Sequence, residues 1–319
     1  MNQRPADIAL AGALRGLGLV LGLALVPGCS IKQIAINKLG EALAQGNTTF
    51  ASDDDPELVK AAAPFSLKMI EGLLAASPRH HGLLLAACSG FTQYSYAFVN
   101  EEADEKQDVD LAAADALRTR AGRLYLRARG YGLRALELTH ANFEQGLRRD
   151  PKATVQAARV ADVPLLYWTA AAWGAAISVS KDQPALLADQ PIVEALIDRA
   201  LELKEDFEQG AIHSFLISYE MARAGRPGDL AARARRHFDR AMELSHGRLA
   251  APLVSLAEAV AVQKQDKTEF QSLLQQALAI HPDATPSSRL QNLVAQRRAR
   301  WLLGRTEELF LDDPKVRSK

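Results

Sequence analysis

The chain is 319 residues long and carries 38 Lys+Arg against 38 Asp+Glu, so its formal net charge is zero. Hydrophobic residues make up 48% and charged residues 24%, a globular composition that excludes disorder as the default state. The balanced charge argues against a nucleic-acid partner, whose footprint is a strongly basic face. Two Cys exclude a disulfide scaffold. Ala and Leu dominate while β-branched residues are sparse, which favours helices because Ala and Leu lose little on entering one. The length suits about two domains or one elongated array.

Residues 1–28 read as an address. A weakly basic start with Arg4, Asp7 and Arg15 precedes an apolar run over 16–26, whose 11 residues are too short to span a bilayer. The run leads into Leu25-Val-Pro-Gly-Cys29, which resembles the bacterial lipoprotein signal. That resemblance makes Cys29 the lipidated new N-terminus and anchors the chain to a membrane. A plain secretory signal with an incidental Cys is the alternative. Ser30 stands where Asp marks inner-membrane retention, so the resemblance points to the outer membrane. The expected organisation is a signal peptide at 1–28, a lipid-anchored segment at 29–49, a helical domain at 50–310 and a flexible tail at 311–319. Losing the signal leaves the chain one negative charge from neutral. Cys88 in Leu83-Leu-Leu-Ala-Ala-Cys-Ser89 is then the remaining thiol and reads as a buried small hydrophobe.

The remainder reads as helices in antiparallel pairs. Asp55 caps a helix with Pro56 at its first position, running to Ser77 with a kink or restart at Pro64. A second helix covers His81 to Val99 and ends in an acidic loop, Asn100 to Asp110, whose spacing does not match an EF-hand and which reads as a solvated connector. A long third helix starts near Asp110, with a break expected at Gly130 or Gly132. Further helices are expected at 133–148, 152–160, 164–180, 190–204, 208–224, 229–245, 249–264, 267–280 and 286–303, with Pro and Gly at several boundaries. No segment alternates as a strand does.

Four spacings then resemble one another. They are Ala121-x3-Tyr125-x2-Ala128, Val193-x3-Ile197-x2-Ala200, Ala234-x3-Phe238-x2-Ala241 and Phe270-x3-Leu274-x2-Ala277. This is the second-helix half of a tetratricopeptide repeat, in which small residues admit a close neighbour and an aromatic fills the gap. The first-helix halves lack their consensus. The expected fold is an all-α α-solenoid of antiparallel helix pairs with tetratricopeptide-like repeats.

Several stretches carry a wider resemblance. They are Phe50-Ala-Ser-Asp-Asp-Asp-Pro-Glu-Leu58, Tyr94-Ser-Tyr-Ala-Phe98, Leu166-Tyr-Trp-Thr-Ala-Ala-Ala-Trp-Gly174, Ser180-Lys-Asp182, Gly210-Ala-Ile-His213 and Gln296-Arg-Arg-Ala-Arg300. In these the chain resembles the T-component (TatT) family of TRAP transporters. The resemblance implies a periplasmic lipoprotein that associates with the solute-binding P component. It also implies a homo-oligomer, a trimer, with a pore or cleft through each subunit, and organic acids or other small hydrophobic or anionic solutes as ligands. An outer-membrane tetratricopeptide scaffold for envelope protein assembly is the alternative.

The residues offer little chemistry. The seven His form no HExxH or Cys/His cluster, so no metal is expected, and His80-His81 reads as a solvated turn. Nucleophile elbow, Walker A loop and dinucleotide fingerprint are all missing, so neither catalysis nor a cofactor is expected. The informative segment is Leu165 to Asp182. Trp168 and Trp173 lie roughly 140° apart on a helix, so both cannot enter one small core contact. Either both fill core spaces, or one lines a concave ligand cleft with Tyr167 and Tyr94, where Lys181 and Asp182 supply polar groups. The last helix carries Arg289, Arg297, Arg298 and Arg300 beside Trp301. That stripe is either a solvated face or a docking surface, with Arg289, Arg297, Arg300 and Trp301 as the candidate contacts.

Overall fold

The computed structural model describes residues 47–311, apart from 224, 226 and 227. The expected signal, Cys29, most of the anchored segment and the tail beyond Leu311 lie outside the described residues. Within them the chain is all-α, with no strand.

A short helix, α1 (Asn47–Ala51), leads into α2 (Pro56–Ala76). The Asp55 carboxylate accepts from the Glu57 and Leu58 N–H groups, and Pro56 takes the position that needs no donor. The helix runs on through Pro64 without a break. Next comes α3 (His81–Ser95), capped by His80, whose Nδ1 accepts from Leu83 N. The second expected helix does not end in a loop. After Ser95 the chain makes one π turn, Tyr96–Asn100, and continues as α4 (Glu101–Lys106). Most of the acidic stretch is therefore helical and only 107–110 turns; its carboxylates are met by Lys60, by Arg118 and by arginines from the far end of the chain. α5 (Leu111–Thr139) is unbroken at Gly130 and Gly132. It stops at His140, and Asn142 turns in the left-handed region before α6 (Phe143–Arg149), so the expected 133–148 helix is split between the two. α7 (Pro151–Val155) is likewise shorter than expected.

α8 (Val163–Val179) is the central helix. Val160–Val179 is long and apolar enough to cross a membrane by length and composition, yet 67% of that stretch is buried inside the fold. A helix apolar on all sides is what the middle of a helical core requires. Two close contacts set its place. A Cβ at Gly132 would meet Thr169 Oγ1 at 2.1 Å and Cys88 Sγ at 3.0 Å, so α3, α5 and α8 converge on the missing side chain. A Cβ at Gly122 would lie 3.3 Å from Ser180 Oγ. Thus 132 faces 169 while 122 faces 180, and α5 and α8 run antiparallel. By the same logic Ser95 Oγ donates to Ala121 O while Cys88 meets Gly132, so α3 and α5 are antiparallel too. Burial pushes the Cys88 thiol up to about 12, which makes it an inert packing group.

After α9 (Pro184–Leu187) come α10 (Gln190–Leu203), packed on α8, and α11 (Ala211–Ala222), packed on α12 (Leu230–Leu244). α11 and α12 also run antiparallel, since Gly210 lies against Leu244, His213 against His237 and Glu220 against Arg233. α13 (Ala251–Leu256) passes into a second π turn, Ala257–Ala261, where one continuous helix was expected. α14 (Lys267–Ala279), α15 (Arg289–Gly304) and α16 (Thr306–Leu309) complete the chain. Ala121, Ala128, Val193, Ile197, Ala200, Ala234, Ala241, Phe270, Leu274 and Ala277 are all buried, so the four repeated spacings fall at helix contacts.

The last long helix does not end as a free edge. α15 packs on α1 and α2, and Arg289 Nη1 donates to Ser52 O at 3.0 Å across 237 residues of sequence. The packing order thus closes into a circuit whose first and last helices meet.

Candidate functional site

α8 presents two faces. Leu165, Leu166, Thr169, Ala170, Ala172, Trp173 and Ala176 are buried. Pro164, Tyr167, Trp168, Ala171, Gly174 and Ala175 are only partly buried, and their spacing of three and four residues makes them one stripe. Trp173 is wholly enclosed, with its Nε1 donating to Asp189 Oδ2 at 3.2 Å and the Arg129 guanidinium 4.6 Å from its ring. Trp168 lies on the open stripe. Its ring meets Tyr167 edge-on at 4.9 Å, and Tyr167 also packs on Phe207 at 5.3 Å.

The turn that carries Phe207 holds a feature the sequence did not announce. Glu208, Gln209 and Gly210 all adopt left-handed conformations, with φ of 43°, 58° and 89°. Glycine does this freely, whereas each of the other two costs about 1–2 kcal/mol. The turn brings the Glu208 carboxyl near enough to Trp168 for the indole N–H to oppose a rise in its pKa. Glu208 is reached by solvent, yet burial pushes its carboxyl up to about 7, opposed by that N–H. The Tyr167 hydroxyl is raised for the same reason and further by Glu208.

Tyr96, in the first π turn, is 51% exposed. Its hydroxyl pKa is raised by desolvation first and then by Glu101 and Glu258. Around it runs the seam between the chain's ends. Arg297 Nη2 donates to Ala97 O at 2.5 Å and to Glu101 Oε2 at 3.1 Å, and its Nη1 lies 3.5 Å from Glu57. Arg298 meets Glu258 at 2.7 Å and Asp104 at 3.0 Å, and Arg305 meets Asp108 at 2.7 Å. Trp301 lies between the Arg298 and Arg305 guanidinium groups. Desolvation outweighs these cations at Glu101, whose carboxyl rises to about 7.

The sequence-derived candidates therefore separate. Tyr167 and Trp168 adjoin. Lys181 and Asp182 are exposed in the turn beyond α8, more than roughly three helical turns from Trp168, and do not join it. Tyr94 is buried against Phe98, with its hydroxyl 3.4 Å from Arg120 Nη2. Arg289 and Arg297 are held inside the molecule by Ser52, Ala97 and Glu101, while Arg300 remains exposed. Glu208 and Tyr96 were missed. Gly210 is the one local sign of the left-handed turn, and a π turn leaves no composition signal. Among the described residues no group of three His, Cys, Asp or Glu is placed to hold a metal.

A circuit of packed helices, with no strand among the described residues, defines the class of all-helical proteins. The comparisons narrow it. The family model for TRAP transporter T-components matches residues 52–310, so the chain belongs to that family of transporter accessory proteins. It is also 28% identical over 307 residues to an uncharacterized protein of Treponema pallidum (strain Nichols), covering 90% of this chain and 95% of that protein. A component of a TRAP transporter works at the cell envelope.

Proposed function

We propose that the chain is a periplasmic accessory protein, anchored through Cys29 to the outer membrane, that docks the solute-binding P component and receives a small organic ligand on its aromatic stripe. Its helices act as tetratricopeptide-like pairs, and it assembles as a homo-oligomer, a trimer on the family resemblance. The observation that carries the docking is an apolar face on α2. Leu58, Phe65 and Met69 are 58%, 72% and 37% exposed, and their spacing of seven and four residues makes them one stripe. Large apolar side chains exposed in a row mark an interaction surface. Arg289, Arg297 and Arg298 of α15 are spent on the molecule's own contacts and only Arg300 is left exposed, which makes α2 the better docking face.

The test is capture of the P component by the unlipidated chain. Phe65→Glu is expected to abolish capture at micromolar concentration, and Arg300→Ala to leave it unchanged. A P component that fails to bind the wild-type chain, with both proteins folded, overturns the reading. Recovery of envelope assembly machinery in its place would favour the scaffold alternative. Light scattering reads the oligomer directly, and a monomer at working concentration removes that part.

A further inference from the structure

Between Asp115 and Glu137, α5 carries six arginines and no acid, in a chain whose net charge is zero. Four of them, Arg120, Arg123, Arg127 and Arg134, are exposed. Spacings of three, four and seven residues put these four on one face of the helix, in a row about 21 Å long. α3, which lies against the row, has no Asp, Glu, Lys or Arg. Lys68 on α2 and Arg79 in the turn after it add exposed positive charge beside the row.

Glu71 on α2 is the acid that meets the row. Lys68 at 2.5 Å and Tyr131 at 2.7 Å approach it more closely than Arg127 does at 3.6 Å. Aromatic rings hold the guanidinium groups instead. Arg120 lies 5.9 Å from the Tyr94 ring, Arg127 5.4 Å from Phe91 and Arg134 5.4 Å from Tyr131, and Arg134 Nη2 donates to Pro78 O at 3.1 Å. Arg123 has no partner among the described residues. A guanidinium laid on a ring keeps most of its donors unspent and is already oriented, so it can grip a phosphate through two N–H groups.

The row fits a layer of phosphates better than a protein. A protein interface has an apolar centre inside its polar rim. On α5 the exposed large apolar side chain is Leu111, at the helix start, so the row has no such centre. Anionic headgroups require only the charge. The chain also enters the fold at the Arg120 end of the row. Lys60, early in α2, meets Glu102 of α4 at 3.1 Å, and Arg118, early in α5, meets Asp104 of the same helix at 3.4 Å. Cys29 stands 18 residues before Asn47, a link that spans at most about 60 Å. A lipid at Cys29 would hold the row near its bilayer at high effective concentration.

We infer that the α5 face of Arg120, Arg123, Arg127 and Arg134 lies on anionic phospholipid headgroups and sets the molecule's orientation on its membrane. The inference rests on the anchoring part of the proposed function and leaves the α2 apolar stripe to the P component.

The test is sedimentation of the unlipidated chain with vesicles of phosphatidylcholine alone or of phosphatidylcholine and phosphatidylglycerol in equal parts. Binding to the mixed vesicles alone, lost in 1 M salt, is expected. Each arginine at an anionic surface strengthens partitioning about fivefold, so Arg120→Gln/Arg123→Gln/Arg127→Gln should weaken binding about 100-fold. Thermal melts check the fold of that variant. Arg123→Glu breaks no contact among the described residues and should by itself weaken binding about fivefold or more. Arg236→Glu makes the same charge change on α12 and should have little effect. No binding to either vesicle, equal binding to both, equal losses in Arg123→Glu and Arg236→Glu, or unchanged binding in the triple variant overturns the inference. Loss of P-component capture in the triple variant with vesicle binding intact also overturns it and assigns the row to an acidic protein. The anchor is read separately, by mass spectrometry of the N-terminus of the mature chain purified from its membrane. An unmodified N-terminus with vesicle binding intact removes the anchor alone, and a lipidated Cys29 without vesicle binding removes the row alone.

Discussion

Where α3, α5 and α8 meet, Gly132, Cys88 and Thr169 interlock with no charge among them. Where α15 meets α2 and α4, the contact is made by Arg297, Arg298 and Arg305 on Glu57, Glu101, Asp104 and Asp108. The first contact draws on apolar burial, about 25 cal/mol per Å² and indifferent to salt. The second draws on ion pairs, most of them worth about 0–1 kcal/mol each and weakened by salt. The trunk contact is indifferent to salt and tolerates no change of volume. The seam tolerates changes of volume and responds to the solution. A molecule built this way has a fixed middle and a conditional closure.

Four experiments bear on that contrast. Trp173→Ala empties the largest fully buried site in the trunk and should cost about 4 kcal/mol, read from urea unfolding. Gly132→Ala should cost about 2–3 kcal/mol by overpacking, and adding Thr169→Ala should recover part of it. A neutral Gly132→Ala would mean the three helices are not in close contact. Arg297→Ala leaves Glu101 buried and short of its partner, and should cost about 1–2 kcal/mol. That loss should shrink in 1 M salt, whereas the cost of Gly132→Ala, at a contact without charges, should show no such dependence.

The smallest effect concerns pH. Glu101 faces Arg297, Arg298 and Glu258, and its carboxyl rises from 4.5 to about 7. Between those values the unfolded chain has released a proton that the folded one keeps, so this group's contribution falls as pH rises. His237 faces His213, Glu220, Arg236 and Arg223, and burial lowers it from 6.5 to about 4. There the unfolded chain binds a proton that the folded one refuses, so stability rises with pH. Over the shared window the two slopes oppose. Glu101→Gln should expose the rise and His237→Asn the fall, each about 1 kcal/mol in chemical denaturation. Parallel profiles in the two variants would contradict the assignment.

What the sequence revealed depended on where each residue's partner lies. Asp55 and Pro56 act on their own helix end, so that start was readable. The all-helical character was readable for the same reason, being a sum of local preferences. The acidic stretch after Asn100 looked like a connector because most of its partners lie far off in sequence, Arg297 standing 196 residues from Glu101. Gly132 looked like a break because a glycine in a helix is costly by itself; its reason is Thr169, on another helix. At the candidate site, turning about 100° per residue separates Trp168 from Trp173, whereas Glu208 depends on backbone angles that its own residue type disfavours.

The π turns at Tyr96–Asn100 and Ala257–Ala261 flank the seam from both sides. Each lodges one residue beyond the ordinary helical count and so rotates everything downstream by about 100°. The first lets α3 face the trunk up to Ser95 and then hands Glu101 and Asp104 to Arg297 and Arg298. The second holds Glu258 against Arg298. Closure is therefore written in residue count more than in residue type. Among diverging relatives these two five-residue stretches should drift in composition while keeping their length. A one-codon deletion in either would swing its acids away from the arginines and leave both flanking helices intact.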